Sequence, residues 1–346
     1  MQTFDFNGHT LSRVFKGNWQ LAGGHGDITH QQAIADLQAY IEHGVNAFDM
    51  GDIYTGAEEL LGELLRQYTE VSGTQAASAL RMHTKFVPDL NALEDLNMKD
   101  VRRIIERSCK RLGVNQLHLV QFHWWDYTKG DYLAAAKMLD ELRTEGLIEH
   151  IGLTNFDVEH MKALLDAGIP IVSNQIQFSL LDPRPFNGML EFAQQHGIAI
   201  FCYGVLAGGL LGSAHPQHEE TNRSHIKYGL VIDEVGTPYY QALLKLLANL
   251  ATKYHTTVAN IATRYVLQTG GVSSAILGPR NATHIAELDE LFTFELSIAD
   301  YTELKQYAQQ PLAHLSGDIY SYERILTSPH GRIMKYNLNG MRPDQQ

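Results

Sequence analysis

The chain has 346 residues, 44% hydrophobic and 19% charged, with a formal net charge of −12. That much apolar material supports one large core and argues against a disordered chain. The acidic balance excludes a general attraction to nucleic-acid phosphates or anionic membranes. Two cysteines, Cys109 and Cys202, are too few for a disulfide scaffold, so a reducing, cytoplasmic setting is expected.

The opening residues, MQTFDFNGHTLSR, carry no continuous apolar run of signal-peptide type. Apolar stretches on either side of Asn7-Gly8 predict a β-hairpin. Beyond it, strand and helix patterns alternate. Short apolar runs at residues 15–21, 47–49, 82–85, 117–122, 148–153, 171–174, 199–203 and 274–277 predict eight strands. Helices are predicted to begin near Gln31, Ala57, Tyr132, Asp157, Pro185, Pro238 and Thr257. The clearest helix is NMKDVRRIIERSCKRLGV, where Val101, Ile104, Ile105, Ser108 and Leu112 share one face and Gly113 supplies a stop. Its Lys and Arg run is interrupted by Asp100 and Glu106 and lies opposite that apolar face, so it reads as the solvated side of the helix. Residues 197–214 carry no charge over a length near that of a membrane span. Their five glycines, with no flanking Lys or Arg, instead suit a buried strand entering a glycine-rich loop.

Eight short strands alternating with helices, each crossover right-handed, predict one α/β domain. The predicted fold is a (β/α)8 TIM barrel with an N-terminal hairpin. Two segments exceed a minimal barrel: a long loop after the seventh strand, SAHPQHEETNRSHIKYGLVIDEVG, and a C-terminal extension from about Pro311. Both are expected near the substrate, because long connections in compact domains commonly serve as lids or binding loops.

The residues at the C-terminal tips of the predicted strands are Asp49, Lys85, His123, Thr154 with Asn155, Gln175, Tyr203 and Gly278. That end of a parallel barrel carries the active site. Singly, each has a plain structural reading as a cap, a solvent-reaching lysine or a hydrogen-bonded histidine. Together, Asp49, Tyr54, Lys85 and His123 project from three consecutive strand ends. A tyrosine with an unperturbed pKa near 10 needs a neighbouring cation to release a proton at neutral pH. Lys85 supplies that cation, Asp49 orients it, and His123 is placed to donate a hydrogen bond to a carbonyl oxygen.

The motifs FDMGDIY, MHTKF and LVQFHWW, followed in order by GLTNF, SNQIQFSLLD, CYGVLAGGLLG and AILGPRNATHIAEL, resemble those of aldo-keto reductases over nearly the whole chain. The resemblance implies that Tyr54 is the general acid, that Lys85 and Asp49 lower its pKa, and that His123 positions the carbonyl. It implies a nicotinamide cofactor lying across the barrel mouth, with NADP(H) favoured and NAD(H) the rival. Gly17, Asn18, Trp19, Asp49, Thr154, Asn155 and Gln175 would contact that cofactor. Tyr203 would stack on the ring, and Gly204, Leu206 and Gly208 would approach the pyrophosphate. Gly278, Arg280, His284 and Glu287 would line the adenosine end. Trp19, Tyr54, His123 and Trp124 would contact substrate. No GxGxxG follows a strand, which agrees with binding outside a Rossmann domain.

The chain departs from the family pattern at Met50-Gly51 after the aspartate, at Asn18 before Trp19, and at Gly278, His284 and Leu288 near the adenosine end. The expected activity is interconversion of an aldehyde or ketone, sugars included, with its alcohol. A monomer acting on a small molecule is expected. The alternative is a nicotinamide-binding redox sensor with little turnover, of the kind the family also contains. A metal-dependent hydrolase built on Asp49, Asp52 and His123 is disfavoured and no metal is expected. No histidines are spaced His-x-His, and the nearest pair, His215 and His218, lies in the long loop.

Overall fold

The computed structural model describes residues 1–19, 29–213, 215–216, 222–279, 282 and 285–342. Strands β1 (Thr3–Phe6) and β2 (His9–Ser12) form the predicted antiparallel hairpin, turning through Asn7 and Gly8 at φ +51° and +84°. The chain then alternates: β3 (Val14–Gly17), α1 (His30–Glu42), β4 (Ala47–Asp49), α2 (Ala57–Ser72), a short α3 (Thr74–Ala77), β5 (Arg81–Phe86), α4 (Met98–Leu112), β6 (Leu117–Phe122), α5 (Tyr132–Thr144) and β7 (Ile148–Thr154). It continues with α6 (Val158–Asp166), β8 (Ile171–Gln177), α7 (Met189–Gln195), β9 (Ala199–Tyr203), α8 (Arg223–Val235), α9 (Thr237–Tyr254), α10 (Val258–Gln268), β10 (Val272–Leu277), α11 (Ile285–Leu291), α12 (Ile298–Gln309) and a final turn α13 (Pro329–Arg332).

Strands β3 to β10 pair in parallel and close into an eight-stranded barrel, β10 returning to β3. Helix starts follow local capping. Asn97, Asp131, Asp157 and Thr257 each accept a backbone N–H three residues on, satisfying donors that the first turn leaves open. Gly113 ends α4 at φ +69°, in the left-handed region that spares only glycine a steric cost.

Period-two alternation divides each strand between two cores. Outward residues such as Phe48, Val120 and Phe122 pack under the helices in one large cluster, while Phe6, Leu11, Phe15, Ala47, Leu119, Phe201 and Ile276 fill the barrel beneath the hairpin. The same alternation carries Asp49, Lys85, Gln121 and Gln175 inward, one layer above Phe201 and Leu119, at the opposite end from the hairpin.

Three expectations change in detail. The strand expected at 15–21 ends at Gly17, and its last two residues lie outside the described ones. The helix expected near Pro185 is a 3-10 turn (Arg184–Phe186) before α7 starts at Met189. The segment after β9 is not all loop, because α8 occupies 223–235, capped by the Asn222 side chain. As expected, residues 197–213 hold β9 and a glycine-rich turn. Among the described residues, no helix is long and apolar enough to cross a membrane.

Candidate active site

Asp49 ends β4, and its carboxylate is buried. Lys85 Nζ, projecting from β5, donates to Asp49 Oδ1 at 2.9 Å and Oδ2 at 2.7 Å, and to the Met50 carbonyl at 2.6 Å. Gln121 Nε2 and Gln175 Nε2 also donate to Asp49 Oδ1, at 2.9 and 2.6 Å, and the two amides bond each other at 2.8 Å. The carboxylate is therefore saturated by one ammonium and two amides, which keeps a buried charge paired and fixes the lysine.

Tyr54 follows in a turn where its N–H bonds the Gly51 carbonyl at 2.9 Å. Its ring faces the ammonium, with Lys85 Nζ 4.9 Å from the ring centre. Gly51 makes this approach possible, because a Cβ there would sit 3.3 Å from the Tyr54 ring and 3.4 Å from Lys85 Cδ. Burial pushes the Tyr54 phenol up; Lys85 pulls it down by charge and hydrogen bond, Asp49 pushes it up again, and the net direction is upward. This corrects the expectation for Asp49: its own field opposes ionisation of the phenol, and its contribution passes through Lys85. Burial lowers the ammonium, but Asp49 and Tyr54 more than offset it, so Lys85 stays protonated. Tyr54 itself is only half-buried, within reach of a ligand.

His123, just past β6, is buried, and its Nδ1 lies 3.0 Å from the Thr154 carbonyl. A carbonyl oxygen only accepts, so Nδ1 carries the hydrogen. Burial, then the Arg324 guanidinium, push the ring down to about 3, so it is neutral. Nε2 is then a lone-pair acceptor, and it is buried without a protein partner. In this tautomer Nε2 presents a lone pair and no hydrogen, unlike the donor expected from the sequence.

Other expected residues divide. Trp19 packs edge-on against Tyr54 at 4.8 Å. Tyr203 donates to Asn155 Oδ1 at 2.8 Å, and Asn155 sits at φ +61°. Asn18 donates to the Lys16 and Asp49 carbonyls, tying the tips of β3 and β4 together. Trp124 does not join them: it is buried in the outer core against Phe122, its indole donating to the Asp126 and Lys129 carbonyls. Alternation explains this, since His123 points inward and its neighbour must point out. Trp125 instead meets the His123 ring at 4.3 Å. Gly278 follows β10, and Glu287 lies in α11 near Thr257. Arg280, His284 and His218 lie outside the described residues.

Several site residues escape a reading of strand tips. Gln121 is signalled only as an amide inside an apolar strand. Lys16 is buried behind β3, where it donates to the Gly17 and Pro279 carbonyls and links the first and last barrel strands. The tail supplies Tyr320, edge-on to His123 at 5.7 Å, and Arg324, which bonds the Trp124, Trp125 and Asn155 carbonyls and the Tyr127 hydroxyl. Helix α8 supplies Arg223 over Trp19 at 5.5 Å and Lys227 over Tyr203 at 5.2 Å.

The donor set suits a dinucleotide. Gly204, Gly208 and Gly209 all hold positive φ, and a Cβ at Gly209 would meet open space. Two cations of α8 adjoin the loop. Gln175 has its amide nitrogen committed and Asn155 its amide oxygen, so between them they offer a neutral carboxamide one acceptor and one donor.

The sequence model of the aldo/keto reductase family matches residues 13–309. Similar proteins include an NADH-specific methylglyoxal reductase of Escherichia coli, 25% identical over 87% of this chain and 95% of its own. An aldo-keto reductase of Bacillus subtilis is 23% identical over 88% and 92%. Among solved structures, a glycerol dehydrogenase from Gluconobacter oxydans matches with a TM-score of 0.76 at 23% identity, covering 91% of this chain and 97% of that one.

Proposed function

The chain belongs to the aldo/keto reductase family, and from that premise we propose that it interconverts a small aldehyde or ketone with its alcohol, Tyr54 moving the proton. The observation that carries this reading is Lys85 Nζ held on both oxygens of a buried Asp49 and set against the Tyr54 ring. Bound NAD(P)H supplies the hydride. Tyr54 donates to the substrate oxygen as negative charge develops there, and Lys85 stabilises the phenolate left behind. Asp49, Gln121 and Gln175 keep the ammonium from turning away, and His123, with its Nε2 unpaired, would position the substrate beside Tyr54. In the oxidative direction the phenolate takes the hydroxyl hydrogen of the alcohol as base.

Gly17, Asn18, Trp19, Thr154, Asn155, Gln175 and Tyr203 would hold the nicotinamide end. Gly204, Leu206 and Gly208 would hold the pyrophosphate, and Gly278, Arg280, His284 and Glu287 the adenosine. The sequence favours NADP(H), while the NADH-specific relative counts toward NAD(H), and fluorescence titration with both separates them. The redox-sensor alternative is not favoured, since the relatives are named as reductases and dehydrogenases.

Tyr54→Phe is expected to lower carbonyl turnover by roughly 10²- to 10⁴-fold while dinucleotide binding persists. Wild-type turnover by that variant would overturn the assignment of the acid.

A further inference from the structure

At the hairpin end of the barrel, opposite the candidate active site, three histidines and a glutamate from three distant segments converge. They are His9 on β2, His118 on β6, and Glu149 with His150 on β7. One potential ligand atom from each lies within 4.8 Å of all the others. His9 Nε2 is 2.9 Å and His150 Nε2 3.6 Å from Glu149 Oε1, and the His9 and His118 rings are 5.0 Å apart. Both ring nitrogens of His118, and Nε2 of His150, are buried without a hydrogen-bond partner. Buried polar atoms are nearly always paired, so three orphaned imidazole nitrogens in one cluster call for a ligand.

We propose that this cluster is a binding site for one divalent transition-metal ion of the zinc class, clamping the hairpin to β6 and β7. Imidazole nitrogens with one carboxylate suit such borderline ions, whereas Mg²⁺ and Ca²⁺ prefer oxygen sets. Ligand atoms at bonds of about 2.0 Å in a tetrahedron lie roughly 3.3 Å apart, so the four side chains close on the ion by modest rotation. Each is half-buried, which leaves a path for the ion from solvent.

Two contacts must yield. His9 Nε2 carries the hydrogen that Glu149 accepts, because Arg81 Nη2 donates to Nδ1 at 2.8 Å. Loading therefore moves the single hydrogen of the neutral ring from Nε2 to Nδ1, without net proton release, and displaces Arg81, whose charge also opposes the ion. The competing account is a packed aromatic floor: Phe6 lies 5.9 to 6.3 Å from the rings of His83, His118 and His150. It explains the stacking and leaves the nitrogens unpaired.

The test is calorimetric titration of the metal-stripped full chain with Zn²⁺ and with Mg²⁺, paired with thermal melts. One Zn²⁺ per chain and a raised Tm are expected, with no response to Mg²⁺. His118→Gln and His150→Gln, made separately, should each weaken Zn²⁺ by about tenfold or more, or 1.4 kcal/mol, while carbonyl turnover and the metal-free melt stay at wild-type values. Arg81→Gln should bind more tightly. No stoichiometric Zn²⁺ binding, binding undiminished in both histidine variants, or an equal response to Mg²⁺ would each overturn the site. If a histidine variant fails to fold, the Arg81→Gln titration decides, unchanged or weaker binding counting against the proposal.

Discussion

Tyr54 and His123 set the expected pH behaviour of the proposed reaction. The phenol is shifted upward by burial and by Asp49 against the pull of Lys85, so it remains a proton donor through neutrality. The His123 ring, pushed to about 3, carries no charge change there. Carbonyl reduction should therefore show a flat kcat/KM from about pH 5 to 9 and a single alkaline limb as Tyr54 loses its proton. A break between pH 6 and 7 would mean that the imidazole titrates, and the neutral ring assigned to His123 would be withdrawn. Of these groups, Asp49, Tyr54, Lys85 and His123 are visible in the chain because they end apolar runs. Gln121 is not, since its importance comes from facing Asp49 across β5, which no local pattern records.

At the level of elements, the two segments beyond the minimal barrel meet at the mouth through a buried ionic knot. Arg184 bonds Asp182 at 2.7 Å and Glu323 of the tail at 3.4 Å, and Lys227 of α8 lies 3.7 Å from the same glutamate. Burial alone would raise Glu323, but Arg184 and Lys227 draw it down to about 2. A lowered carboxylate stabilises the fold above its ordinary value of 4.5, and that contribution fades as pH falls towards 2. Glu323→Gln leaves Arg184 and Lys227 with a weaker partner, at a cost on the order of 3 kcal/mol. Urea unfolding should report this loss at pH 7, together with faster protease cleavage in the tail. Unchanged stability and cleavage would show that apolar packing alone holds the tail. Tyr320 of the tail lies beside His123, and Lys227 of α8 beside Tyr203. Helix α8 was legible in principle, for Asn222 is a cap and His225, Tyr228, Val231 and Ile232 recur at helical spacing. The polar run before it obscures the pattern.

At the scale of the whole molecule, Asp52, buried just after β4, makes the fold sensitive to pH. It accepts from Val87 N at 3.1 Å and Asn339 Nδ2 at 2.7 Å, while its Oδ1 is unpaired. Burial raises it from 3.8 to about 7. A raised carboxylate favours the folded state fully below pH 3.8, and that advantage is lost as pH climbs through 7. Asp52→Asn removes the ionisation, so its stability relative to wild type should rise between pH 4 and 8, by up to a few kcal/mol at about 1.4 per pKa unit. A constant difference across that range would mean that Asp52 is not held neutral.

The sequence by itself determined the barrel, the hairpin, the order of elements and the strand-end tetrad, because these depend on short-range alternation, capping and turn residues that local chemistry enforces. Alternation along β6 also accounts for Trp124 in the outer core, but the sequence could not gather Gln121 and Gln175 on Asp49. Nor could it tie the tail to Arg184 or bring His9, His118, Glu149 and His150 together. Those arrangements arise when folding brings residues 54 to 140 positions apart into contact, and spacing along a chain carries no record of which inward side chains then share a layer.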